Sequence, residues 1–494
     1  MTSIESVKAF NLLALKNSEL PESVLLEIAE REANMALEPE DYLEQFEKTC
    51  PANAPIGDNI GLSPDKCNTR ELKATSVCEK IVEISRQSIQ GGWGKTNLTC
   101  HNERLYIFRH THYQELPKKF ISRLIRKSGW KLQVSVADQM NVKFAQSCEE
   151  QILHSSSPAK LPPKDAVFIN VQNGVLKIGP NGPELRNHDP EHFFTYCLNY
   201  CYNKEAKAPR FQQLLDEVLP EKEAQMCLLE YIASCFFQNN VLKLEKAAFL
   251  IGEGENGKSV IYDIFKSLVG GQNVSGLTLS DMTKTKFMMP LLEGKLLNWS
   301  SDIGKTFEAD LFKRLVSQET VMAEIKNGAI FELQRIPRLI FNGNEMVTSN
   351  DKTRGLWRRF LIFPFKVHIP KERQDPQLAA KIIDHECPGI LNMLIHALHR
   401  LLNQKSYTES AFMEEALQQW KEEHNSALTF VQSSGLAAHK HYTIPFREVC
   451  NRYEEWCYDN GDKAMDAKAF NKELKKLFKC KKSGTYQWFA QFPD

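Results

Sequence analysis

Ala247-Ala248-Phe249-Leu250-Ile251 runs directly into Gly252-Glu253-Gly254-Glu255-Asn256-Gly257-Lys258-Ser259. An apolar run followed by G-x-x-x-x-G-K-S places a phosphate-cradling loop at the end of a buried strand. Glycines let successive backbone N–H groups converge on phosphate oxygens, Lys258 reaches the β- and γ-phosphates, and the Ser259 hydroxyl can ligate Mg²⁺. Val260-Ile261-Tyr262-Asp263-Ile264-Phe265 continues at helical spacing. Strand, loop and helix are therefore all legible, and Gly252 to Val260 form the expected site for ATP with Mg²⁺.

Beyond the loop the pattern stays α/β. Leu296 to Asp302 reads as a short buried strand ending in an acid, Arg338 to Asn344 as a second ending in an amide, and Phe360 to Phe365 as a third directly after Trp357-Arg358-Arg359. Hydrolysis of a γ-phosphate needs a held Mg²⁺, an oriented water and positive charge opposite the developing negative charge. Asp302 fits the carboxylate that holds the Ser259-bound metal and polarises water, and Asn344 fits a sensor of that water or of the γ-phosphate. Arg358 or Arg359 fits an arginine finger offered to a neighbouring subunit, which implies a ring. Taken singly, each has an ordinary reading: a cap or turn for the acid and the amide, and a solvated pair for the arginines. Their order at strand boundaries downstream of the loop is what favours the chemical reading.

Val321 to Leu333 forms two alternating segments around Asn327-Gly328, a dipeptide that favours a two-residue type I′ turn. That turn would place Lys326 at the tip of a hairpin, with Asn327 beside it, where an ammonium can grip a phosphate backbone without reading sequence. Near the C-terminus, Phe446 to Trp456 and Lys468 to Phe478 read as helices, and Lys481 to Phe489 reads as a β wing. Lys472, Lys475 and Lys476 give the second helix a basic face suited to duplex DNA or simply to solvent.

Lys plus Arg equals Asp plus Glu, 62 against 62, yet the charge is unevenly spread. Residues 1–50 are acidic, with a helical apolar pattern from Pro21 to Ala36, and residues 50–68 look like a Pro/Gly linker. The 13 cysteines are scattered without a disulfide-scaffold pattern, no charged leader with an apolar segment is evident, and no apolar run suits a membrane helix. A soluble protein of a reducing, cytoplasmic compartment is expected, with no membrane partner. Arg104 to Arg109 reads as a strand and Lys118 to Lys131 as a basic helix, either a DNA contact or a solvated face. Val167 to Ile178 reads as a hairpin turning at Asn173-Gly174, and Phe211 to Asn239 as helical. Cys100-His101 and His110-Thr111-His112 fit no closed zinc pattern.

The motifs GEGENGKS, LLNWSSDI, LVSQETVMAEIKNGAIFEL, RLIFNGNEM and GLWRRFLIFPF, in this order, resemble the superfamily 3 helicases, specifically the helicase part of phage, plasmid and poxvirus primase-helicases. The resemblance runs from about residue 97 to the C-terminus. Phe168 to Phe211 resembles the helical domain that precedes the helicase core, Glu386 to Asn392 the segment that closes it, and the basic C-terminal region the winged helix that follows. It implies an α/β, AAA+-like ATPase core with N-terminal mainly helical domains and a C-terminal winged helix. The implied boundaries are an acidic unit over 1–95, a helical domain over 96–245, the ATPase core over 246–400, and a connector with winged helix over 401–494. It further implies an ATP-hydrolysing ring, a hexamer, that threads single-stranded DNA from a fork. By motif position Lys258 and Ser259 form the Walker A pair, Asp302 is Walker B, Asn344 is sensor 1, Lys326 is the channel contact, and Arg359 is the finger with Arg358 as second choice. One departure is visible: relatives commonly end Walker B with Glu or two acids, whereas Ser300-Ser301 precede a single Asp302 here.

The function expected is therefore replication of a phage, phage satellite, plasmid or other mobile element. No primase signature is evident in the first 95 residues, and their acidity suits a protein partner such as a separate primase or initiator. Two other classes compete. One is a small-molecule kinase, which would need a lid and an acceptor pocket. The other is an ATP-switched origin-binding, remodelling or defence ATPase without processive unwinding.

Overall fold

The computed structural model describes residues 98–131, 135, 137, 141–160, 166–179, 182–238, 240–284, 286–303, 307–326, 330–333, 335–346, 354–423, 425–460, 464–483, 485–488 and 490–492. The expected acidic helix and the Pro/Gly linker lie outside these residues. The rest divides into two units, with the main boundary between Cys201 and Tyr202.

In the first unit, β1 (Leu98–His101), β2 (Arg104–Arg109) and β3 (His112–Glu115) form an antiparallel meander, and β4 (Ser157–Pro158) joins β1 in parallel. Helices α1 (Lys118–Lys131) and α2 (Val142–Ser155) supply Phe120, Ile121, Phe144, Cys148 and Ile152 to a core shared with Leu105 and Ile107 of β2. β5 (Val167–Val171), β6 (Gly174–Gly179) and β7 (Gly182–Arg186) make a second sheet. The hairpin between β5 and β6 is the expected one, but its turn is displaced by one residue. Val171 pairs with Gly174, so Gln172-Asn173 form the turn and Gly174 opens the return strand at φ 148°. A Cβ on Gly174 would lie 2.3 Å from the Arg186 carbonyl oxygen, so this glycine serves the close approach of a neighbouring backbone.

This unit corrects the expectation of a mainly helical domain over 96–245. Among the described residues, 98–201 carry seven strands beside helices α1 and α2, and the helices that accompany the central parallel sheet begin only at α3 (Pro209–Val218). The strands Arg104 to Arg109 and Val167 to Ile178 are themselves legible in the sequence.

In the second unit, α3 and α4 (Lys222–Ala233) are separated by Pro220. The central sheet is built from β8 (Ala247–Ile251), β9 (Val274–Ser275), β10 (Leu297–Ser300), β13 (Arg338–Gly343) and β14 (Phe360–Pro364). Helices α5 (Lys258–Val269), α6 (Leu279–Lys284), α7 (Ala309–Val316) and α8 (Arg354–Trp357) lie between them, as does a hairpin of β11 (Met322–Glu324) and β12 (Ile330–Glu332). Spatial order is β14-β8-β13-β10-β9, and every pairing is parallel. Parallel strands covered on both faces need near-continuous apolar sequence, which explains why these segments lack alternation. On one face Trp299 stacks on Phe265 of α5, their ring centres 6.1 Å apart; on the other Phe249, Phe312 and Phe360 form a cluster.

A long helix, α9 (Leu378–Gln404), packs on α4 and α5. Its buried Glu386 caps α3 by accepting from the backbone N–H groups of Arg210 (3.2 Å) and Phe211 (3.0 Å). Helix α10 (Ala411–Glu423) places Trp420 against Trp357 (4.4 Å between ring centres) and Phe360 (5.1 Å). Trp420 is 4% exposed. Trp420→Ala is therefore expected to destabilise this unit by about 3–5 kcal/mol, read as a lowered denaturant midpoint.

The chain ends with α11 (Ser426–Ser433), β15 (Ala437–Ala438), β16 (Ile444–Pro445), α12 (Phe446–Asp459), α13 (Ala467–Leu477), β17 (Cys480–Ser483), β18 (Thr485–Trp488) and β19 (Ala490–Gln491). Phe470 and Tyr453 stack 3.9 Å apart at its centre, and Asp466 caps α13. Among the described residues no helix is long and apolar enough to cross a membrane.

Candidate nucleotide site

The loop from Gly252 to Gly257 leaves β8 and enters α5 at Lys258, as the spacing required. It is fastened from both sides. Gly252 N–H donates to the Gly343 carbonyl at 3.1 Å, and beyond β14 the Ile369 N–H donates to the Glu255 carbonyl at 2.8 Å. Glu255 holds φ 61°, an uncommon conformation for a residue with a side chain, and its carboxylate lies 3.6 Å from His368.

Lys258 is 8% exposed, and burial pulls its ammonium below the usual lysine range. It donates to the carbonyls of Gly252 (2.5 Å) and Glu253 (3.2 Å) and to Asn256 Oδ1 (3.0 Å). Asn256 is itself buried; its Nδ2 donates to the Glu253 and Phe365 carbonyls, so its oxygen faces the lysine. The three ammonium donors are thus held by the loop's own oxygens, and a phosphate would have to replace at least one of them. That role of Asn256 was not legible from a pattern in which its position is free to vary.

The carboxyl edge of the sheet carries the other expected groups. Trp299 pairs with Ile340 and Ser300 with Phe341, while Gly343 pairs with Ile251. Asp302, two residues past Ser300, therefore lies level with the start of the phosphate loop, and it is exposed. Its backbone is pinned by Ser300, whose Oγ donates to the Asp302 carbonyl at 2.7 Å. Asn344 follows Gly343 on the strand between β8 and β10, and it too is exposed. Ser259 is exposed in the first turn of α5. A hydroxyl and a carboxylate beside a phosphate loop are hard oxygen donors, and they fit a Mg²⁺ that also takes phosphate oxygens and water. Among the described residues no group of three or more His, Cys, Asp or Glu side chains could hold a metal without such help.

The arginines lie at the opposite edge. Arg359 precedes β14, and its carbonyl accepts from Ala247 N–H, the first residue of β8, at 2.8 Å. The five residues of β8 separate that edge from the loop by about 17 Å, further than an arginine side chain reaches. Neither arginine can serve the loop of its own chain. They also differ from each other. Arg359 has a side chain 9% exposed and is committed internally, donating to Ser317 Oγ at 2.9 Å and to the Gly355 carbonyl. Arg358 has a side chain 57% exposed and pairs with Glu245 at 2.6 Å. Burial raises the Glu245 carboxyl, but Lys243, Arg358 and Arg359 outweigh that and hold it below its ordinary value.

The hairpin after α7 departs from its expected register. Glu324 pairs with Ile330, leaving five residues, 325–329, between the strands. A two-residue turn at Asn327-Gly328 would have paired Glu324 with Phe331, so pattern alone misjudged the register by one residue. Lys326 is exposed in this loop, while Asn327 lies outside the described residues. Met322, Ile325 and Ile330 are also exposed, and the segment Lys286–Leu292, with Phe287 and Leu291 exposed, packs beside β11. Lys472, Lys475 and Lys476 are exposed on α13, with Lys476 bonded to Glu473 at 2.7 Å.

Three families match the chain in consecutive stretches. Residues 88–220 match "D5 N terminal like", residues 250–359 match a family of unknown function (DUF5906), and residues 411–491 match "Poxvirus D5 protein-like". The first and last of these stretches are thus similar to D5-type proteins, and the middle one to a family without an assigned function. The middle match runs from Leu250 to Arg359, so it spans the loop, Asp302, the hairpin, Asn344 and both arginines. Among solved structures, two apo structures of the NrS-1 C terminal region are 13% identical and cover 80% of this chain and 96% of theirs, with TM-scores of 0.41 and 0.43. A third apo structure of that region is 12% identical over the same shares, with a TM-score of 0.40. No curated protein matches the chain.

Proposed function

We propose that this D5-type chain is an ATP-driven replication helicase that works as a ring, with each site assembled between two subunits. The observation that carries the reading is the separation of the groups. The phosphate loop, Asp302 and Asn344 share one edge of the sheet, while Arg358 stands at the other edge, beyond reach of its own loop. Such a chain completes its charge complement only beside another copy, and a closed ring supplies every loop with an arginine. Lys258 and Arg358 neutralise the phosphates, Ser259 and Asp302 hold Mg²⁺, and Asn344 orients the attacking water. Arg358, exposed and tied only at the surface by Glu245, suits the finger better than Arg359, which the fold consumes.

The hairpin supplies the DNA contact. Lys326 offers an exposed cation for phosphates, and the exposed Met322, Ile325 and Ile330 offer apolar area for sugars and base faces. The two helices and the small sheet at the C-terminus, with Lys472, Lys475 and Lys476 on the second helix, form the winged helix of this reading and hold duplex DNA ahead of the fork.

Strand displacement on forked DNA, run beside ATPase assays with and without single strands, tests the reading. Displacement that requires hydrolysable ATP is expected. Hydrolysis stimulated by DNA without displacement would favour the ATP-switched remodelling class. Lys326→Ala is expected to keep basal ATPase, lose stimulation by single strands and lower unwinding at least about tenfold, since a phosphate-gripping cation acts on DNA and not on the nucleotide.

A further inference from the structure

Hydrolysis needs a group that takes a proton from the attacking water, and the strand that carries Asp302 does not offer a second acid. Ser300 is 3% exposed and bonded to the Asp302 backbone, and Ser301 has a hydroxyl where a carboxylate would be needed. Asp302 is meanwhile assigned to the metal. Carboxylates on the turns that leave β8, β10 and β13 at this edge include Glu253, Glu255, Asp302 and Glu345. Glu253 and Glu255 ride on the phosphate loop itself, and Glu255 faces His368 at 3.6 Å. Glu345 stands on the turn after β13, next to Asn344 and between the phosphate-loop strand and the Asp302 strand.

That turn is fixed in place. A Cβ on Gly343 would lie 2.5 Å from Ile303 Cδ1 and 2.8 Å from the Glu345 carbonyl oxygen. Ile303, which follows Asp302, thus packs on the residue that precedes Asn344, and the Asp302 and Glu345 turns are locked together through a position that admits no side chain. Glu345 is exposed, and no ion pair to it is seen among the described residues.

We propose that Glu345 is the catalytic base for ATP hydrolysis, taking the place of the acid that Ser301 does not provide. The inference rests on the nucleotide site proposed above. In the step it performs, the water oxygen forms a bond to the γ-phosphorus as the bond from that phosphorus to the β–γ bridging oxygen breaks. The water proton passes to the Glu345 carboxylate and the bridging oxygen leaves on ADP. The carboxylate then returns its proton to solvent. Asn344, one residue away, orients the same water.

The test compares Glu345→Gln with the native chain and with Lys258→Ala. The glutamine variant is expected to lower kcat by roughly 10²- to 10⁴-fold. Its affinity for a fluorescent ATP analogue and its thermal midpoint should stay at native values. If Glu345→Gln hydrolyses ATP at the native rate while Lys258→Ala does not, the nucleotide site stands and the base is another group. Native turnover in Lys258→Ala would overturn the site itself, and the base with it. A glutamine variant that loses turnover together with analogue binding or thermal stability also overturns the proposal, because Glu345 would then be holding the turn.

Discussion

Lys258→Ala is expected to remove ATP hydrolysis, lowering turnover by roughly 10³-fold or more, because in the proposed site it deletes the charge that would face the β- and γ-phosphates. The ammonium is nine-tenths buried and bonded to three oxygens of its own loop. Removing it leaves the Gly252 and Glu253 carbonyls and Asn256 Oδ1 converging on one another without a donor between them. The variant should therefore bind ATP more weakly as well as turn it over more slowly. Lys258→Arg should fare little better, since a planar fork cannot place donors on three oxygens arranged around a point charge. Steady-state hydrolysis and titration of a fluorescent analogue check both statements, and native turnover in the alanine variant would remove the loop from the chemistry.

What was legible in the sequence was local. The apolar run into the glycine loop, the strands that precede Asp302 and Asn344, and the strand after the arginines all stand close to where the residues placed them, although β10 stops at Ser300, because a buried parallel strand and the loop leaving it are specified within about ten residues. What was not legible depends on partners far apart in the chain. Glu245 and Arg358 meet across 113 residues, and nothing near either residue announces the other. Both hairpin turns were misjudged by one residue, because strand pairing, not the dipeptide at the turn, fixes register. The order of the strands, which puts Asn344 between the loop and Asp302, is likewise a property of the sheet and not of any segment. The difference between two adjacent arginines, one consumed by Ser317 and one exposed, came from burial alone.

That difference sets the second large effect. Arg358→Ala is expected to lower turnover by roughly 10³- to 10⁵-fold, the usual value of an arginine finger, while nucleotide binding in the variant's own loop persists. In the proposed ring the defect belongs to pairs of subunits: each chain would lend its arginine to one neighbour and borrow from the other. Mixing Arg358→Ala with Lys258→Ala chains, each nearly inactive alone, creates interfaces that join an intact loop to an intact arginine, so activity should reappear in the mixture and rise towards equal proportions. A group acting within its own chain could not be rescued in this way. Glu245 sharpens the test, for it holds Arg358 at 2.6 Å, and in the proposed ring it would have to release it to a neighbour. Glu245→Gln keeps the shape, loosens that hold and leaves the finger in place, so hydrolysis should be retained in it and lost on adding Arg358→Ala. Arg359→Ala should instead lower stability, since it strips bonds from Ser317 and the Gly355 carbonyl in the interior. Mixtures that stay inactive at every ratio, with both variants folded and assembled, would refute sharing of the arginine between subunits.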